Sequence, residues 1–408
     1  MSASPPYVPG VGERMAQFEG RRGSKASELK IWWREVDRVL LGLILALMLI
    51  GTAAVAAGSP ASARRLSTSA EKLPDLYFYW AHLRFQLVGL MVMIGASFLS
   101  RDNARRLGIV LAAVMLVALM LVPFVGHEVN GSKRWLRFGI GIQPSEFLKP
   151  GFAIAMAWIL SWRLKDPNLP VLAIVSGLMG LIAVLLMLQP NLGATILFLG
   201  VWFVLVLLSG VSAKKIGGII ALGATGVAAA YLFYDNARHR INDFFSGGAE
   251  FDQVDLAQKT LLGGGWTGTG FWLGLKKFSL PEAHTDYVFS VIGEEFGLIV
   301  CAIVIILYLA IIARVLVRLA DEENLFALLA AAGLVTQIGG QAFINILVNL
   351  QLFPSKGMTL PLVSYGGSST IAVCLAVGLL LALTRRNPFL TRETPGLRAL
   401  LADKEKGA

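Results

Sequence analysis

The stretch RVLLGLILALMLIGTAAVAA, residues 38–57, predicts a membrane-spanning helix, because a single charged residue at its start precedes a run in which Thr52 is the only polar side chain. About 20 predominantly apolar residues are enough for an α-helix to cross the hydrocarbon core of a bilayer. Similar runs lie near 80–99, 107–125, 147–162, 171–188, 192–209, 216–234, 287–313, 325–349 and 367–384. The sequence therefore predicts an all-α integral membrane protein with about ten transmembrane helices.

Composition excludes a soluble protein of this length. Charged residues make up 15% of the chain and hydrophobic residues 56%, whereas about a quarter of a soluble domain is charged. The net charge of +10 does not indicate nucleic acid, because the basic residues sit between apolar runs. Membrane topology and anionic lipid head groups explain them better.

The basic residues also predict the orientation. Lysine and arginine concentrate in cytoplasmic loops, and this rule places the N-terminal tail inside, with an even number of spans returning the C-terminus to the same side. We expect a disordered cytoplasmic tail at 1–35, a membrane domain at 36–387 and a second cytoplasmic tail at 388–408. The expected location is a bacterial inner membrane.

Two predicted outer segments carry cations that the topology rule does not require. The segment near 126–146 contains Lys133, Arg134 and Arg137, and the large outer loop at 235–286, between helices 7 and 8, contains Arg240 among other basic residues. A bound anion would explain them, and ion pairs with nearby acids or lipid head groups are the alternative. The glycines and aromatic residues of 235–286 favour a structured re-entrant segment or a surface lid.

The strongest candidate site is LPEAHTDYVFSVIGEEFG, residues 280–297. Asp286 lies at the mouth of a predicted span, and Glu282 and His284 crowd the same few residues. Glu294 and Glu295 fall about two turns inside, where carboxylates are costly and indicate function by default. The alternatives are that Asp286 caps the helix and that the two glutamates are structural. Ser290 shares the helical face of Asp286 and Glu294.

A second candidate site is GSKRWLRFGIGIQPSEFLKP, residues 131–150. Trp135 is suited to stacking on a sugar while the neighbouring arginines hold phosphate, or it belongs to an interfacial aromatic belt. Glu146 lies in the first turn of the helix that follows.

A third candidate site is FPSKGMTLPLVSYGGSS, residues 353–369, a loop that leads into the last span. Ser364, Gly366, Gly367 and Ser368 offer hydroxyl and N–H groups at a helix N-terminus, where anions bind well; helix packing by small residues is the alternative. Lys356 adds a cation. Gln341 and Asn345, on one face of the preceding helix, are predicted to point toward the same end of the bundle. Gln189 and Asn191 interrupt the apolar sequence at an outer turn between two spans.

Together these motifs resemble the SEDS family of shape, elongation, division and sporulation proteins, over residues 36–387. SKGMTLPL is closer to the family's cell-division branch. The resemblance implies a peptidoglycan glycosyltransferase that polymerises lipid II, a disaccharide peptide on undecaprenyl diphosphate. It matches the family's essential aspartate to Asp286, its lysine to Lys356, its SYGGS stretch to Ser364, Tyr365, Gly366, Gly367 and Ser368, and its tryptophan to Trp135. Asn191 departs from the family, which has an aspartate there.

The resemblance implies an inverting transfer with Asp286 as general base and undecaprenyl diphosphate as leaving group. Developing negative charge would be met by Mg²⁺ or Mn²⁺ or by the outer cations, which are Lys133, Arg134, Arg137, Arg240 and Lys356. No organic cofactor is expected. Expected partners are membrane lipids, a class B penicillin-binding protein and other division proteins, with a periplasmic active site at the septum. A lipid II transporter and a non-catalytic scaffold remain alternatives.

Overall fold

A computed structural model describes residues 25–68, 71–129, 132–138, 140–164, 166, 168–233, 235, 238, 242, 249–354 and 357–386. In chain order, the described elements are α1 (Lys25–Glu35), α2 (Arg38–Leu66), α3 (Tyr77–Ser97), α4 (Arg101–Val125), β1 (His127–Val129), β2 (Ser132–Phe138), β3 (Ile140–Ile142), α5 (Pro144–Ser161), α6 (Val171–Met187), α7 (Leu192–Leu208), α8 (Ala213–Phe233), α9 (Ala249–Gly263), α10 (Val288–Leu319), α11 (Leu325–Asn349) and α12 (Ser368–Thr384).

The ten apolar runs coincide with helices α2–α8 and α10–α12. Five of the described helices are long and apolar enough to span a membrane: α2, α4, α8, α10 and α11. The shorter apolar helices α6, α7 and α12 have 17 residues each. The chain is therefore a mostly helical, multi-pass membrane protein, as its composition predicts.

Helices α5, α11 and α12 form the centre of the bundle, because most of their residues are buried. Helix α12 packs along α3, and α5 contacts both α4 and α11. Where α3 crosses α12, a Cβ at Gly378 would lie 2.5 Å from the Met93 carbonyl oxygen. Such close contact through small residues holds helices together in lipid, where the hydrophobic effect does not.

A buried carboxylate ties the start of α2 to the end of α10. Asp37 caps α2 by accepting hydrogen bonds from two backbone N–H groups of its first turn. Its Oδ2 also accepts from Arg314 Nε at 2.7 Å and Arg318 Nε at 2.8 Å. We call this the Asp37 end of the bundle, and we call the opposite end, where α10 begins, the Asp286 end.

The N-terminal tail is helical where it approaches the bundle. Trp32 of α1 stacks on Phe98 with ring centroids 4.9 Å apart, and its Nε1 donates to Ser97 Oγ at 3.0 Å. The prediction of a disordered tail at 1–35 is therefore wrong for residues 25–35, because the buried site for Trp32 is created by another helix. Residues 1–24 and the predicted tail at 388–408 lie outside the described residues.

The segment between α4 and α5 forms a three-stranded antiparallel sheet in the order β1-β2-β3. Glu128 lies opposite Lys133, and Arg137 lies opposite Gly141. No strand is predicted in the outer segment near 126–146, although Asn-Gly at 130–131 is a typical hairpin signal. The sheet was missed because its short strands are rich in charge and lack an apolar run.

Residues 264–277, which we call the glycine loop, pack into a break in α10. Gly297 interrupts the helix with a φ of 86°. A Cβ on Gly264, Gly268 or Gly297 would overlap backbone atoms of the opposite segment, so only glycine permits this approach. Part of the large loop at 235–286 is therefore structured, as its glycines and aromatic residues predicted.

Candidate active site

Asp286 lies in the turns that precede α10, and its side chain is partly buried. It borders a cavity of about 10 Å³, which is close to the space that one water molecule requires. The other residues that line this cavity are Tyr287, Ile344, Asn345, Val348, Gly357 and Met358. Asp286 therefore lies where helix α10, helix α11 and the loop before α12 meet.

The backbone carbonyl of Asp286 is held by two asparagines of α11. Asn345 Nδ2 donates to it at 2.8 Å and Asn349 Nδ2 at 3.1 Å. Ser290 Oγ in turn donates to Asn349 Oδ1 at 2.7 Å. Asn345 and Ser290, both predicted as site residues, thus position Asp286 through its main chain.

Asn349 was not among the predicted site residues. The signal for it was present, because Gln337, Gln341, Asn345 and Asn349 recur every four residues along the apolar α11 and share one face. All four are buried. A polar stripe inside a span indicates function or a hydrogen-bonded partner, and here it leads to Asp286.

The surroundings of Asp286 favour its protonated form more than water does. Burial, then the charges of Glu282 and Glu146, raise its pKa to about 7, and the positive charge of Arg134 opposes this rise. A general base is most effective when its pKa lies near the working pH. The carboxyl group is therefore suited to accepting a proton at neutral pH.

Strand β2 divides the predicted cations between its two faces. Alternation places Lys133, Trp135 and Arg137 on one face and Arg134 and Leu136 on the other. Leu136 is buried, whereas Lys133 and Arg137 are exposed, so the face that carries Arg134 is the one that meets the bundle.

Arg134 holds the turn between α6 and α7. Its Nε donates to the Gln189 carbonyl at 3.0 Å and its Nη2 to the Pro190 carbonyl at 2.6 Å. Gln189 Nε2 donates to the Leu119 carbonyl at 3.2 Å, and Asn191 Oδ1 accepts from Ala194 N at 3.3 Å as the N-cap of α7. Gln189 and Asn191 thus shape this turn, which Arg134 connects to β2.

Glu146 belongs to a buried polar network. Lys149 Nζ donates to Glu146 Oε1 at 2.7 Å and to Gln341 Oε1 at 2.8 Å, and Gln341 Nε2 donates to the Thr359 carbonyl at 2.9 Å. Glu146 Oε2 is buried without a hydrogen-bond partner among the described residues. The network joins α5, α11 and the loop before α12 next to Asp286.

The loop before α12 is bonded to the turns around Asp286. Ser364 Oγ donates to the Thr285 carbonyl at 2.6 Å, and Tyr365 N donates to the His284 carbonyl at 3.0 Å. Gly367 then adopts a φ of 53° and α12 begins at Ser368. Ser364 and Tyr365 therefore fix the loop, while Gly366, Gly367 and Ser368 form the helix N-terminus beside it.

His284 is enclosed by aromatic rings. Its ring lies 4.1 Å from that of Phe78 and stacks on Tyr365 with centroids 5.4 Å apart. Burial, and to a smaller extent the nearby His82, lowers the pKa of His284 to about 4. The imidazole is therefore neutral at neutral pH and packs between the rings of Phe78 and Tyr365.

Glu294 and Glu295 hold the glycine loop. Glu294 accepts hydrogen bonds from the backbone N–H groups of Lys276 at 2.6 Å and Lys277 at 2.9 Å. Glu295 forms a buried ion pair with Lys277 Nζ and accepts from Trp272 N and Gly274 N. These contacts favour the structural alternative for both glutamates. Glu282 is different, since it is exposed and accepts from Thr285 Oγ1 at 2.8 Å.

Two predicted cations, Arg240 and Lys356, lie outside the described residues. Trp135 packs over Gly141, where a Cβ would lie 3.6 Å from its ring. In the part of the chain that the structure describes, no group of three or more histidine, cysteine, aspartate or glutamate side chains is arranged to hold a metal ion. These residues thus provide no protein cage for a divalent cation.

Comparison with known proteins places the chain in a family. Residues 38–388 match the FtsW/RodA/SpoVE family model, described as a cell cycle protein. A relative from Caulobacter vibrioides, named "Probable peptidoglycan glycosyltransferase FtsW", is 34% identical over 88% of this chain and 92% of its own. A relative of the same name from Methylococcus capsulatus is 36% identical over 85% of this chain and 89% of its own.

Solved structures agree with these relatives. A chain from work on the "structural coordination of polymerization and crosslinking by a peptidoglycan synthase complex" matches with a TM-score of 0.70 and 29% identity, over 86% of this chain and 97% of that one. The rod shape determining protein RodA of Thermus thermophilus matches with a TM-score of 0.64 and 26% identity, over 89% and 99% of the two chains. The family model, the curated relatives and the shared fold together show that this chain belongs to the FtsW/RodA/SpoVE family, the SEDS proteins that its motifs resemble.

Proposed function

We propose that this chain is a peptidoglycan glycosyltransferase that polymerises lipid II during cell division. The observation that carries the proposal is Asp286, whose carboxyl group has a pKa of about 7 and whose backbone is fixed by two asparagines. The curated relatives named as peptidoglycan glycosyltransferases support the reaction class.

In the proposed reaction, the 4-hydroxyl of an acceptor sugar attacks the anomeric carbon of a lipid-linked donor. The new C–O bond forms as the bond to the diphosphate oxygen breaks, and Asp286 accepts the hydroxyl proton. One positioned base contributes roughly 10²–10⁴-fold. The diphosphate leaves as an anion without needing a proton, so a single displacement with inversion requires no covalent enzyme intermediate.

Positive charge must stabilise the leaving diphosphate. We assign this role to the exposed side chains of Lys133 and Arg137, with Lys356 and Arg240 as further candidates; the donors of Arg134 that bind backbone carbonyls are already engaged. Mg²⁺ or Mn²⁺ would arrive with the diphosphate, because such ions are commonly held by one or two carboxylates together with substrate phosphates.

The proposed reaction requires movement at the site. A cavity of about 10 Å³ beside Asp286 is far smaller than a disaccharide, since ligand pockets usually measure about 300–1,000 Å³. Gly357 approaches the carboxyl closely, because a Cβ there would lie 3.5 Å from Asp286 Oδ2. Substrate binding therefore requires Gly357 and Met358 to move away from Asp286.

We further propose that both termini lie in the cytoplasm of a bacterial cell and that the Asp286 end faces the periplasm. The proposed partner is a class B penicillin-binding protein at the division septum, together with other division proteins. The structural similarity to a chain of a peptidoglycan synthase complex supports such a partnership.

Reconstitution tests the proposal directly. The purified chain in liposomes, with and without its transpeptidase partner, is given lipid II and Mn²⁺, and glycan chains and lipid II transport are measured in parallel. We expect glycan chains. Transport without polymer would support the transporter alternative, which requires a substrate site near the midplane. Polymer formed by the partner alone, unchanged by this chain, would support the scaffold alternative.

A further inference from the structure

Hydrogen bonds to α10 satisfy part of the backbone of the glycine loop. Thr269 N and Gly270 N donate to the carbonyls of Glu294 and Glu295 at 2.8 and 3.1 Å. In return, Leu298 N and Ile299 N donate to the carbonyls of Gly265 and Trp266 at 3.0 and 3.2 Å. Irregular backbone is tolerated at membrane depth only when its polar groups are paired in this way.

The charged side chains next to the glycine loop are also hydrogen-bonded or paired. Lys277 is 1% exposed and donates to Glu295 and to the Ala57 carbonyl, the latter at 3.0 Å. Glu294 accepts two backbone hydrogen bonds from the loop. A charge inside the hydrocarbon is costly unless it is paired or hydrogen-bonded. Glu295 is paired with Lys277, and Glu294 accepts hydrogen bonds from two backbone N–H groups.

The outer rim of the glycine loop is apolar and exposed. The exposed fractions are 57% for Leu262, which lies just before the loop, 74% for Trp266, 46% for Phe271, 50% for Trp272, 68% for Leu273 and 78% for Leu275. A contiguous patch of this kind on a protein usually marks an interaction surface. The position of this rim along the helices indicates whether it contacts lipid or water.

The distance between the glycine loop and the Asp37–Arg314 ion pair can be calculated along α2 and along α10. Trp272 Nε1 donates to the Ala56 carbonyl of α2 at 3.0 Å, and Ala56 lies 19 residues after Asp37. Glu295 of α10, which also binds the loop, lies 19 residues before Arg314. At 1.5 Å per residue the α2 path gives about 28 Å, close to the roughly 30 Å thickness of the hydrocarbon core. The α10 path has the same number of residues but includes the break at Gly297.

The rim also continues a lipid-facing stripe of α10. Ile299, Ile303 and Ile306 share one face of this span and are exposed by 50%, 44% and 61%. Since Ile299 N bonds to the Trp266 carbonyl, the exposed Trp266 follows this stripe directly. Aromatic side chains are enriched at this level of a membrane protein.

We propose that the glycine loop is a re-entrant segment of the leaflet at the Asp286 end, and that its rim of Leu262, Trp266, Phe271, Trp272, Leu273 and Leu275 contacts lipid acyl chains. The loop thereby anchors the large outer segment in the membrane, beside the turns that carry Asp286. The break in α10, the hydrogen-bonded glutamates and the glycines together allow an irregular segment to enter lipid.

Spin labelling tests this proposal without depending on activity. Cys301 and Cys374 are buried, so a cysteine introduced by Leu275→Cys in the full chain can be labelled selectively with a nitroxide. In liposomes we expect the label to collide with oxygen, which concentrates in acyl chains, several-fold more than with a water-soluble nickel chelate. Leu273→Cys should behave alike. Glu128→Cys, on the exposed surface of β1, is the aqueous control and should show the opposite ratio.

Two results would overturn the proposal. A nickel-accessible label at 273 and 275 would place the loop in water. A label shielded from both reagents would show that another protein chain covers the rim. Tryptophan emission provides an independent readout, because the difference between the wild type and Trp266→Phe should be quenched by brominated lipid and not by aqueous iodide.

Discussion

The two ends of the bundle shift the pKa values of their carboxylates in opposite directions. At the Asp37 end, burial would raise the pKa of Asp37, but hydrogen bonds and charge from Arg314 and Arg318 outweigh this effect and lower it. At the Asp286 end, burial and neighbouring carboxylates raise the pKa of Asp286 to about 7, against the opposing charge of Arg134. One carboxylate is fixed as an anion, and the other is free to exchange a proton near neutral pH.

The surrounding groups follow the same division. At the Asp37 end, further ion pairs join Arg101 to Glu322 at 2.8 Å and Arg386 to Asp321 at 3.1 Å. At the Asp286 end, six buried side chains have atoms without a hydrogen-bond partner among the described residues, whereas at the Asp37 end Arg385 Nε is such an atom; the six are Ser62, His82, Ser145, Glu146, His284 and Ser368. Unpaired buried polar groups lower stability, and proteins retain them mainly where function needs them. The comparison supports a structural role for the Asp37 end and is consistent with the proposed chemistry at the Asp286 end.

The largest effect is expected for Asp286→Asn. Removing the base should lower the rate of glycan polymerisation by at least about 10²-fold. Thermal stability at pH 8 should not fall, because the raised pKa means that ionised Asp286 opposes folding as the pH rises from 4 to 7. The measurement is polymerisation together with a melting curve; a large loss of stability would place Asp286 with the structural carboxylates instead.

Asp37→Ala should show the reverse pattern. It leaves Arg314 and Arg318 without their shared anion and removes the cap of α2, so we expect the free energy of unfolding to fall by about 3 kcal/mol. Below its melting temperature the variant should polymerise within about threefold of the wild-type rate, a change of under 1 kcal/mol. Arg318→Gln is the milder control, since Arg314 still pairs with Asp37. A selective loss of polymerisation rate at unchanged stability would contradict a structural role for Asp37.

Helix α11 offers the same contrast within a single element. Asn349→Ala removes one of the two donors to the Asp286 carbonyl and should lower kcat by roughly tenfold, because small misplacements of a catalytic group are costly. The KM for lipid II should change less. Asn324→Ala removes the N-cap at the other end of α11, which costs about 1 kcal/mol of stability, and should leave kcat unchanged. Equal effects of the two variants on kcat would contradict a positioning role for Asn349.

Much of the fold and part of the candidate site could be predicted from the sequence. The features that were missed depend on contacts between residues far apart in the chain. Apolar runs predict the ten spans because lipid constrains length and composition strongly. Asp286 could be predicted as a site residue because it lies beside Glu282 and His284 at the start of a span and matches the essential aspartate of the family that the motifs resemble. Helix α1 and Asn349 were missed because Trp32 and Asn349 depend on partners far along the chain, at Ser97 and at the Asp286 carbonyl.

The same limit applies to residues whose type was noticed but whose contacts were not foreseen. Arg134 was predicted to bind phosphate, and the structure places it on two backbone carbonyls of the α6–α7 turn. Glu294 and Glu295 were ambiguous in sequence because an intramembrane carboxylate serves catalysis and structure equally well. Their contacts with the glycine loop favour the structural role.

A smaller effect is expected in the pH dependence of polymerisation. Since the base must be ionised, the rate should rise with pH through about 7, the pKa of Asp286. Glu282→Gln removes a negative charge that raises this pKa, so the midpoint should move to lower pH while the rate at pH 8 stays unchanged. Rates measured from pH 5.5 to 8.5 check both. A midpoint that does not respond to Glu282→Gln would mean that another group controls the titration.

The smallest effect is expected at Asn191, where the resemblance implies an aspartate in the family. Asn191 caps α7 through Oδ1, and asparagine and aspartate cap helices about equally well, so Asn191→Asp should change stability by under about 0.5 kcal/mol. Asn191→Ala is the control that loses the cap, with a cost of about 1 kcal/mol. Because Arg134 binds the carbonyls of the two preceding residues, an added carboxylate would compete for its guanidinium group. A change in the polymerisation rate of more than about tenfold in Asn191→Asp would equal about 1.4 kcal/mol in the barrier. It would mean that charge at the α6–α7 turn influences Asp286 through Arg134, and that this turn contributes to catalysis.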